Sequence, residues 1–432
     1  MPTCSHLVIT TGTNARYRAK PTTVLLIRQG RQRRKQAAIL PRFFPFDTSP
    51  LCPIILVVFA FRFYNWNRRD TVGKLKAGIV GLSRGHGLVN ALAAHPDVQI
   101  AALCDVRPGI LNQLGDEHRV AETMRFTNYD DMAAADLDII TVATPIEFHA
   151  QQSIMALEAG KHVLCEQTAA YTVADCERLV ETVKRTGKAY MMAENYSYFD
   201  YIRKWKAMID AGRLGRIHYA EGEYLHEITD LLVDPKTGER QWRYTRAPIW
   251  YCAHCLGPLL TLMDDRIVRA TGVHSGWNKY PGETIAYLDM EVGLFQTQKG
   301  AVIKILRSQA VVRHPDMVWY TIYGTKGFVE NGRGAGWGET TGYLYLEDEM
   351  PKHPGAVVMS WNTVDKTAPP EAQSGGHGTS EYYMVRDFIS AVRNGTKPPI
   401  DVVRAVDFTI PGILAHESAM RGGVWLDVPL LG

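Results

Sequence analysis

Cysteine is scarce in this chain: seven in 432 residues, an odd number, and scattered. That excludes a disulfide-built scaffold and fits a reducing compartment with unpaired thiols. Cys252 and Cys255 form a C-x-x-C. Zinc would need a second pair of ligands, and no partner pair is evident, so no metal site is expected. Long apolar runs are missing too. The nearest approach, 51–61, is short and contains Pro53, so it does not read as a membrane span. There is no internal repeat and no long low-complexity tract. The body of the chain also lacks basic excess. Before Lys76 stand 13 Lys and Arg against 2 Asp and Glu, which puts +11 on that segment and −8 on the remainder. A mildly acidic body carries no nucleic-acid signature.

The first seventy or so residues look foreign to the rest. They hold Arg28-Gln29-Gly30-Arg31-Gln32-Arg33-Arg34-Lys35, several prolines and the short apolar run. A basic stretch before an apolar run resembles a signal anchor, but no small-residue cleavage site stands out. Three readings stay open: a disordered or wrongly assigned start, a targeting segment, or a membrane anchor. The first is preferred. Residues 1–74 are therefore set apart as an extension, no membrane association is expected, and the expected compartment is the cytoplasm.

What is present organises itself around 76–105. Lys76-Ala77-Gly78-Ile79-Val80-Gly81 reads as a short buried strand running into a Gly-rich turn, Leu82-Ser83-Arg84-Gly85-His86-Gly87. Leu88, Ala91, Leu92 and Ala94 give the following helix an apolar face. A second apolar run, 98–104, ends in Asp105. Strand, Gly-rich turn, helix, strand and acid make up the dinucleotide-binding fingerprint. Glycine lets the backbone approach a pyrophosphate at the helix N-terminus. Asp105 is placed to accept hydrogen bonds from the adenosine ribose. An acid there favours NAD over NADP, because it repels a 2′-phosphate, and Arg107 keeps NADP open. The motif is degenerate: Ser83 stands where the second glycine is expected, and His86 near the third.

Beyond Asp105, strands at 136–144, 162–166 and 189–195 alternate with helices, which implies a parallel sheet covered on both faces. Thr172 and Asp175 form a capping box for one helix, which ends at Gly187. Asp105, Thr144, Glu166 and Asn195 all fall at the carboxyl ends of strands, where such sheets hold ligands. Past Tyr196 the pattern changes. One amphipathic helix carries Ile202, Trp205 and Ile209. Strand-like runs follow at 217–226, 267–273, 285–292, 301–307 and 319–323, then helices at 382–393 and 402–420. The alternation predicts a mostly antiparallel sheet with one covered face. The fold class is thus α/β: a Rossmann dinucleotide-binding domain over 75–195, then an α/β domain with a large open sheet over 196–432. The active site is expected in the cleft between them.

The pieces Gly78-Ile79-Val80-Gly81, Cys104-Asp105, Ala143-Thr144-Pro145 with His149, 156–163, Glu166, Gly212-Arg213-Leu214-Gly215 and Gly324-Thr325-Lys326-Gly327 together resemble the Gfo/Idh/MocA family, the glucose–fructose oxidoreductase and inositol dehydrogenase group. The resemblance runs from about Lys76 to the end. It implies tightly held NAD(P), a small-molecule sugar or glycoside as substrate, and a homo-oligomer built through the C-terminal sheet. It assigns cofactor contacts to Gly81, Ser83, Arg84, Gly85, Asp105, Thr144, Pro145, His149, Glu166, Gln167 and Asn195. Two departures stand out. Glu166-Gln167-Thr168 replaces the family's usual Glu-Lys-Pro, and Trp250 replaces an Asp four residues before His254. A neutral Gln167 can only hydrogen-bond, where a lysine would help lower the pKa of an alcohol.

One branch fits those departures. Tyr251-Cys252-Ala253-His254-Cys255-Leu256-Gly257-Pro258, with 166–170, Met191-Met192-Ala193-Glu194-Asn195 and Gly375-Gly376-His377-Gly378, resembles the NAD-dependent glycosidases of glycoside hydrolase family 109. In that branch NAD takes a hydride from C3 of the sugar, elimination expels the C1 substituent, water adds and the hydride returns. The resemblance makes Tyr251 and His254 the catalytic pair and places Tyr224, Arg243, Tyr251 and His377 around the substrate. Tyrosine, with an ordinary pKa of about 10, needs its phenolate favoured to act as a base; histidine, at about 6.5, can carry a proton either way. Three residues apart on one helical turn, the two can face one substrate. A Tyr-x-x-His pair is otherwise a common structural feature. His149 and His162 read as positioning or structural residues, and His377 as either a cleft residue or part of a mobile loop. Trp242, Trp250 and Trp277 are sugar-stacking or core residues. A plain sugar or polyol dehydrogenase and a non-catalytic dinucleotide sensor remain the alternatives.

Overall fold

The computed structural model describes residues 73–282, 284–310, 313–334, 337–350 and 355–432; the basic and apolar amino-terminal stretches lie outside them. The chain enters as β1 (Leu75–Val80), turns at Gly81 into α1 (Leu82–Ala93), and continues through β2 (Val98–Cys104), α2 (Pro108–Glu117), β3 (Arg125–Phe126), α3 (Tyr129–Ala134), β4 (Ile139–Val142), α4 (Ile146–Glu158), β5 (His162–Glu166), α5 (Val173–Thr186) and β6 (Tyr190–Ala193). The six strands are all parallel, in the order β3-β2-β1-β4-β5-β6. Every residue of β4 is buried, as a central parallel strand requires when helices cover both faces; every residue of β6, at the edge, is buried as well, beneath the last two helices of the chain. The order reverses direction at β1 and β4, and there the sheet opens a crevice at its carboxyl edge. Thr172 caps α5 by accepting from the Asp175 N–H, and Gly187 closes it in a left-handed conformation, as the sequence predicts.

The second half follows a 3₁₀ turn at Asn195–Tyr198. Its elements are α6 (Asp200–Asp210), β7 (Ile217–Leu225), α7 (Thr229–Leu232), α8 (Ala253–Met263), β8 (Ile267–His274), β9 (Glu291–Thr297), β10 (Val302–Ser308), β11 (Met317–Gly324), β12 (Gly327–Glu330), β13 (Glu339–Leu346), β14 (Val357–Asn362), α9 (Ser380–Asn394), α10 (Val402–Met420) and β15 (Leu426–Asp427). The nine strands run β14-β13-β12-β11-β7-β10-β9-β8-β15, antiparallel except for the β7–β10 pair. Register puts Ala220, Gly222 and Tyr224 of β7 on one face with Ile303, Ile305 and Arg307 of β10 and Val318, Tyr320 and Ile322 of β11. That face is buried, and α8 packs on it across Gly222, where a Cβ would meet Ile305 and Cys255 at 3.0 and 3.1 Å.

The strand expected at 285–292 does not form. Ile285–Tyr287 is a 3₁₀ turn, and the strand begins at Glu291. The Asp289 carboxylate takes the N–H groups of Asn278 and Lys279, and Gln309 donates to the Ala286 carbonyl. Those side chains satisfy backbone groups that a ladder would otherwise use. The last helices reach back over the first sheet. α9 packs on α1, α10 on α5, and the Met192 N–H donates to the Ile400 carbonyl at 3.0 Å.

Candidate active site

At the end of β1 the chain must reverse closely against β4. Gly81 does so at φ 86°, and a Cβ there would stand 2.5 Å from the Ala143 carbonyl. Gly85 lies against the Ala143 and Ile79 side chains, with 3.2 Å left for a Cβ. Leu82 N–H is taken by the Asp105 carboxylate at 2.9 Å, while those of Ser83 and Arg84 have no intrahelical acceptor, being in the first turn. A helix N-terminus that keeps these two N–H groups above a glycine cradle fits a dinucleotide pyrophosphate.

Asp105 is not poised as expected. Both its oxygens are occupied, by Leu82 N–H and by the Arg107 backbone and guanidinium at 2.9–3.0 Å. Burial pushes this carboxyl up, but those donors outweigh it and hold it below the usual range. Arg107, itself mostly exposed, must swing aside before a ribose can reach the acid. His149 also departs from its expected cofactor contact. It is 1% exposed, with Nδ1 on the Thr168 carbonyl at 2.7 Å and Nε2 on the Thr144 carbonyl at 2.8 Å. Two carbonyl acceptors demand two N–H donors, so the ring is an imidazolium that ties the loop after β4 to the loop after β5. Burial pulls its pKa down, but Cys165 and the two carbonyls outweigh that and lift it to about 9. Thr144 and Pro145 therefore frame the crevice from a pinned loop. His162 accepts the Ala189 N–H and is structural.

Arg84, from α1, crosses the crevice to pair with Glu166 at the end of β5, 2.5 Å away. The Glu166 carboxylate also takes the Gln167 N–H. Gln167 in turn faces His254, with Nε2 to Nε2 at 3.1 Å. On its other side the imidazole meets Glu194 through Nδ1 at 2.9 Å. His254 is 2% exposed and Glu194 fully buried. Burial, reinforced by Arg84, His377 and Arg307, pushes His254 well below the ordinary histidine value, while burial pushes the Glu194 carboxyl well up. Burial thus disfavours the charged form of both partners. Gly257, one turn along α8, explains why they meet: a Cβ there would lie 2.6 Å from the Glu194 side chain.

Tyr251 and His254 do not share one regular helix. Tyr251 closes a 3₁₀ turn, Pro248–Tyr251, and α8 begins two residues later. They still face one another, with ring centroids 5.3 Å apart and planes 85° to each other. Tyr196 stacks on the His254 ring, with centroids 3.7 Å apart. The Tyr251 ring lies under the Arg246 guanidinium at 3.9 Å, with that of Arg307 at 5.8 Å.

These groups line a cavity of about 130 Å³ that includes Arg84, Tyr196, Tyr224, Arg243, Arg246, Tyr251, His254, Arg307, Trp337 and His377. An adjoining cleft of about 50 Å³ shares Arg84 and His377 and adds Glu166 and Asn195. So Tyr224, Arg243, Tyr251 and His377 are brought together as expected. His377 reaches the cleft because the Gly375–Gly376 backbone lies against Gly87 of α1, and Glu381 holds its ring at 2.5 Å. Glu381 also accepts from Asn195. Trp242, Trp250 and Trp277 stand outside the larger cavity; the aromatic wall is Trp337 with three tyrosines. Buried atoms without partners gather here: Gln167 Oε1, Glu194 Oε2, Asn195 Oδ1, and Nε and Nη1 of Arg246. Unmet polar atoms at this density mark a ligand site. Sequence reading passed over Arg246, Arg307 and Tyr196. Glu194 stood within a quoted motif but received no role. Cys252 and Cys255 are buried thiols, with Cys255 pushed up to about 12 by burial.

Comparison with known proteins agrees with this architecture. Residues 75–194 match the oxidoreductase family, NAD-binding Rossmann fold, and residues 202–431 match the glycosyl hydrolase 109 C-terminal domain. A glycosyl hydrolase family 109 protein of Streptomyces filamentosus is 30% identical over 404 residues, covering 84% of this chain and 78% of the relative. One of Solibacter usitatus is 28% identical over 392 residues, covering 81% and 86%. Among solved structures, an oxidoreductase domain protein from Kribbella flavida and a levoglucosan dehydrogenase in complex with NADH and L-sorbose each superpose with a TM-score of 0.70 at 19% identity, covering 83% of this chain and all of theirs; these show the shared fold. The protein is an NAD-dependent enzyme of the Gfo/Idh/MocA type acting on a sugar or glycoside, and it belongs to glycosyl hydrolase family 109.

Proposed function

We propose that the enzyme cleaves glycosides without net oxidation, with Tyr251 and His254 moving the protons. A bound nicotinamide would supply the hydride acceptor and donor for one ring carbon. The observation that carries this reading is the Gln167–His254–Glu194 row. A simple alcohol dehydrogenase profits from a cation beside the hydroxyl, and here an amide stands instead. Tyr251 is the base for the proton on the carbon next to the oxidised one. Arg246 and Arg307 set positive charge against its ring, where a phenolate charge would develop. His254, neutral at rest, takes the proton of the ring hydroxyl as that carbon is oxidised and passes it to the departing oxygen, while Glu194 holds the imidazole through Nδ1. Gly81, Ser83, Arg84, Gly85, Asp105, Thr144, Pro145, Glu166, Gln167 and Asn195 hold the dinucleotide along the strand ends. Incubation with aryl glycosides, with and without added NAD, tests the reading. Aglycone release without NADH is expected; NADH accumulating with free sugar identifies a dehydrogenase instead.

The domains are taken as 75–195 and 196–432. A homo-oligomer forms through the outer face of the large sheet, where Leu294, Val302, Tyr323, Tyr343 and Val358 stand exposed; native mass spectrometry reads the assembly and its bound cofactor together. Buried free thiols fit a cytoplasmic setting.

A further inference from the structure

The large cavity holds more positive charge than its own carboxylates balance. Arg84, Arg243, Arg246 and Arg307 all line it. Glu166 pairs with Arg84, but among the described residues no carboxylate pairs with the other three. The remaining titratable groups leave that excess in place. His226 is held by Asp316 at 3.2 Å, His377 by Glu381, His254 by Glu194, and the others are phenols. Arg307 has backbone acceptors, the Pro248 and Tyr224 carbonyls at 3.1 and 2.8 Å, and so serves the fold.

Arg246 is not served in that way. It is 2% exposed, its Nη2 donates to Gln309 at 3.0 Å, and Nε and Nη1 have no partner. A guanidinium buried without a counter-charge is costly unless a ligand completes it. Arg243 lies beside it: the two guanidiniums stand 4.3 and 5.5 Å from the Trp242 ring. Their charges thus gather on one wall, next to Tyr251.

We propose that this wall binds an anionic group on the sugar, so that the natural substrate is an acidic glycoside, one bearing a carboxylate or a sulfate. The inference rests on the reading of the cavity as a glycoside site. A neutral sugar brings hydroxyls that leave the charge unbalanced, whereas a carboxylate or sulfate oxygen takes charge-assisted hydrogen bonds from guanidinium. Such bonds are worth roughly ten- to a hundredfold in affinity.

The test is calorimetric binding to the full, NAD-loaded chain of a free hexuronate, a hexose sulfate and the neutral hexose of the same configuration. One acidic sugar should bind at least about tenfold tighter than the neutral one, and the better of the two acidic arms names the group. The preference should shrink in the half-buried variant Arg243→Gln and vanish in Arg246→Gln, with Arg246→Lys recovering part of it. Equal or tighter binding of the neutral sugar, or no binding of any of the three, overturns the proposal; so does a preference that survives Arg243→Gln undiminished. Nitrophenyl hexuronide and hexoside separate the two readings. Turnover of both without preference sinks the acidic substrate and leaves the glycosidase. Acidic sugars that bind without aglycone release leave the binding wall and sink the reaction.

Discussion

His149 carries a charge that the fold itself requires, since both ring nitrogens face carbonyl oxygens. Its pKa is raised, from 6.5 to about 9. A raised folded-state pKa stabilises fully below the unfolded value and is lost as pH rises through the folded one. The protein should therefore lose about 3 kcal/mol between pH 6.5 and 9, at roughly 1.4 kcal/mol per pKa unit. Thermal melts across that window check this; His149→Gln should flatten the profile, and an unchanged slope would remove the imidazolium. Tyr251→Phe and His254→Ala should each lower turnover by roughly a hundredfold or more while NAD stays bound; two fully active variants would end the assignment. The pair was legible because both residues sit in one short motif. Arg246 was not. Its partner Gln309 lies 63 residues away, and nothing in a local pattern tells a buried arginine from a solvated one.

Helix α8 shows why the motif has its glycine. Gly257 leaves room for Glu194 beneath His254, so Gly257→Ala should displace that carboxyl, lower kcat and shift the pH profile while cofactor content holds. A variant with the parent's pH profile would show that Glu194 has no part in it. At the other edge of the crevice, Gly81→Ala forces a side chain into a left-handed turn against Ala143. It should cost roughly 1–3 kcal/mol for the backbone alone and strip bound NAD. Absorbance of the purified variant reads the cofactor. The elements of the first sheet were legible because strand, turn and cap signals coincide, as at Thr172 and Gly187. The stretch 285–292 misled because its apolar residues serve a loop whose hydrogen bonds come from Asp289 and Gln309, groups distant in sequence or spent on side-chain caps.

On the scale of the whole molecule, two sheets meet so that the strand ends of one face the buried wall of the other. α9 and α10 lock the arrangement by returning to the first sheet, which a linear division of the chain does not reveal. No helix among the described residues is long and apolar enough to cross a membrane. The cavity at the junction joins the open helix N-terminus of α1, the His254–Glu194 pair and the arginine wall. Running the reaction in heavy water tests this union most directly. If Tyr251 removes the proton beside the oxidised carbon, the released sugar should carry one deuterium at C2, with no NADH formed. A sugar released with hydrogen still at C2 would mean direct hydrolysis and would contradict the account.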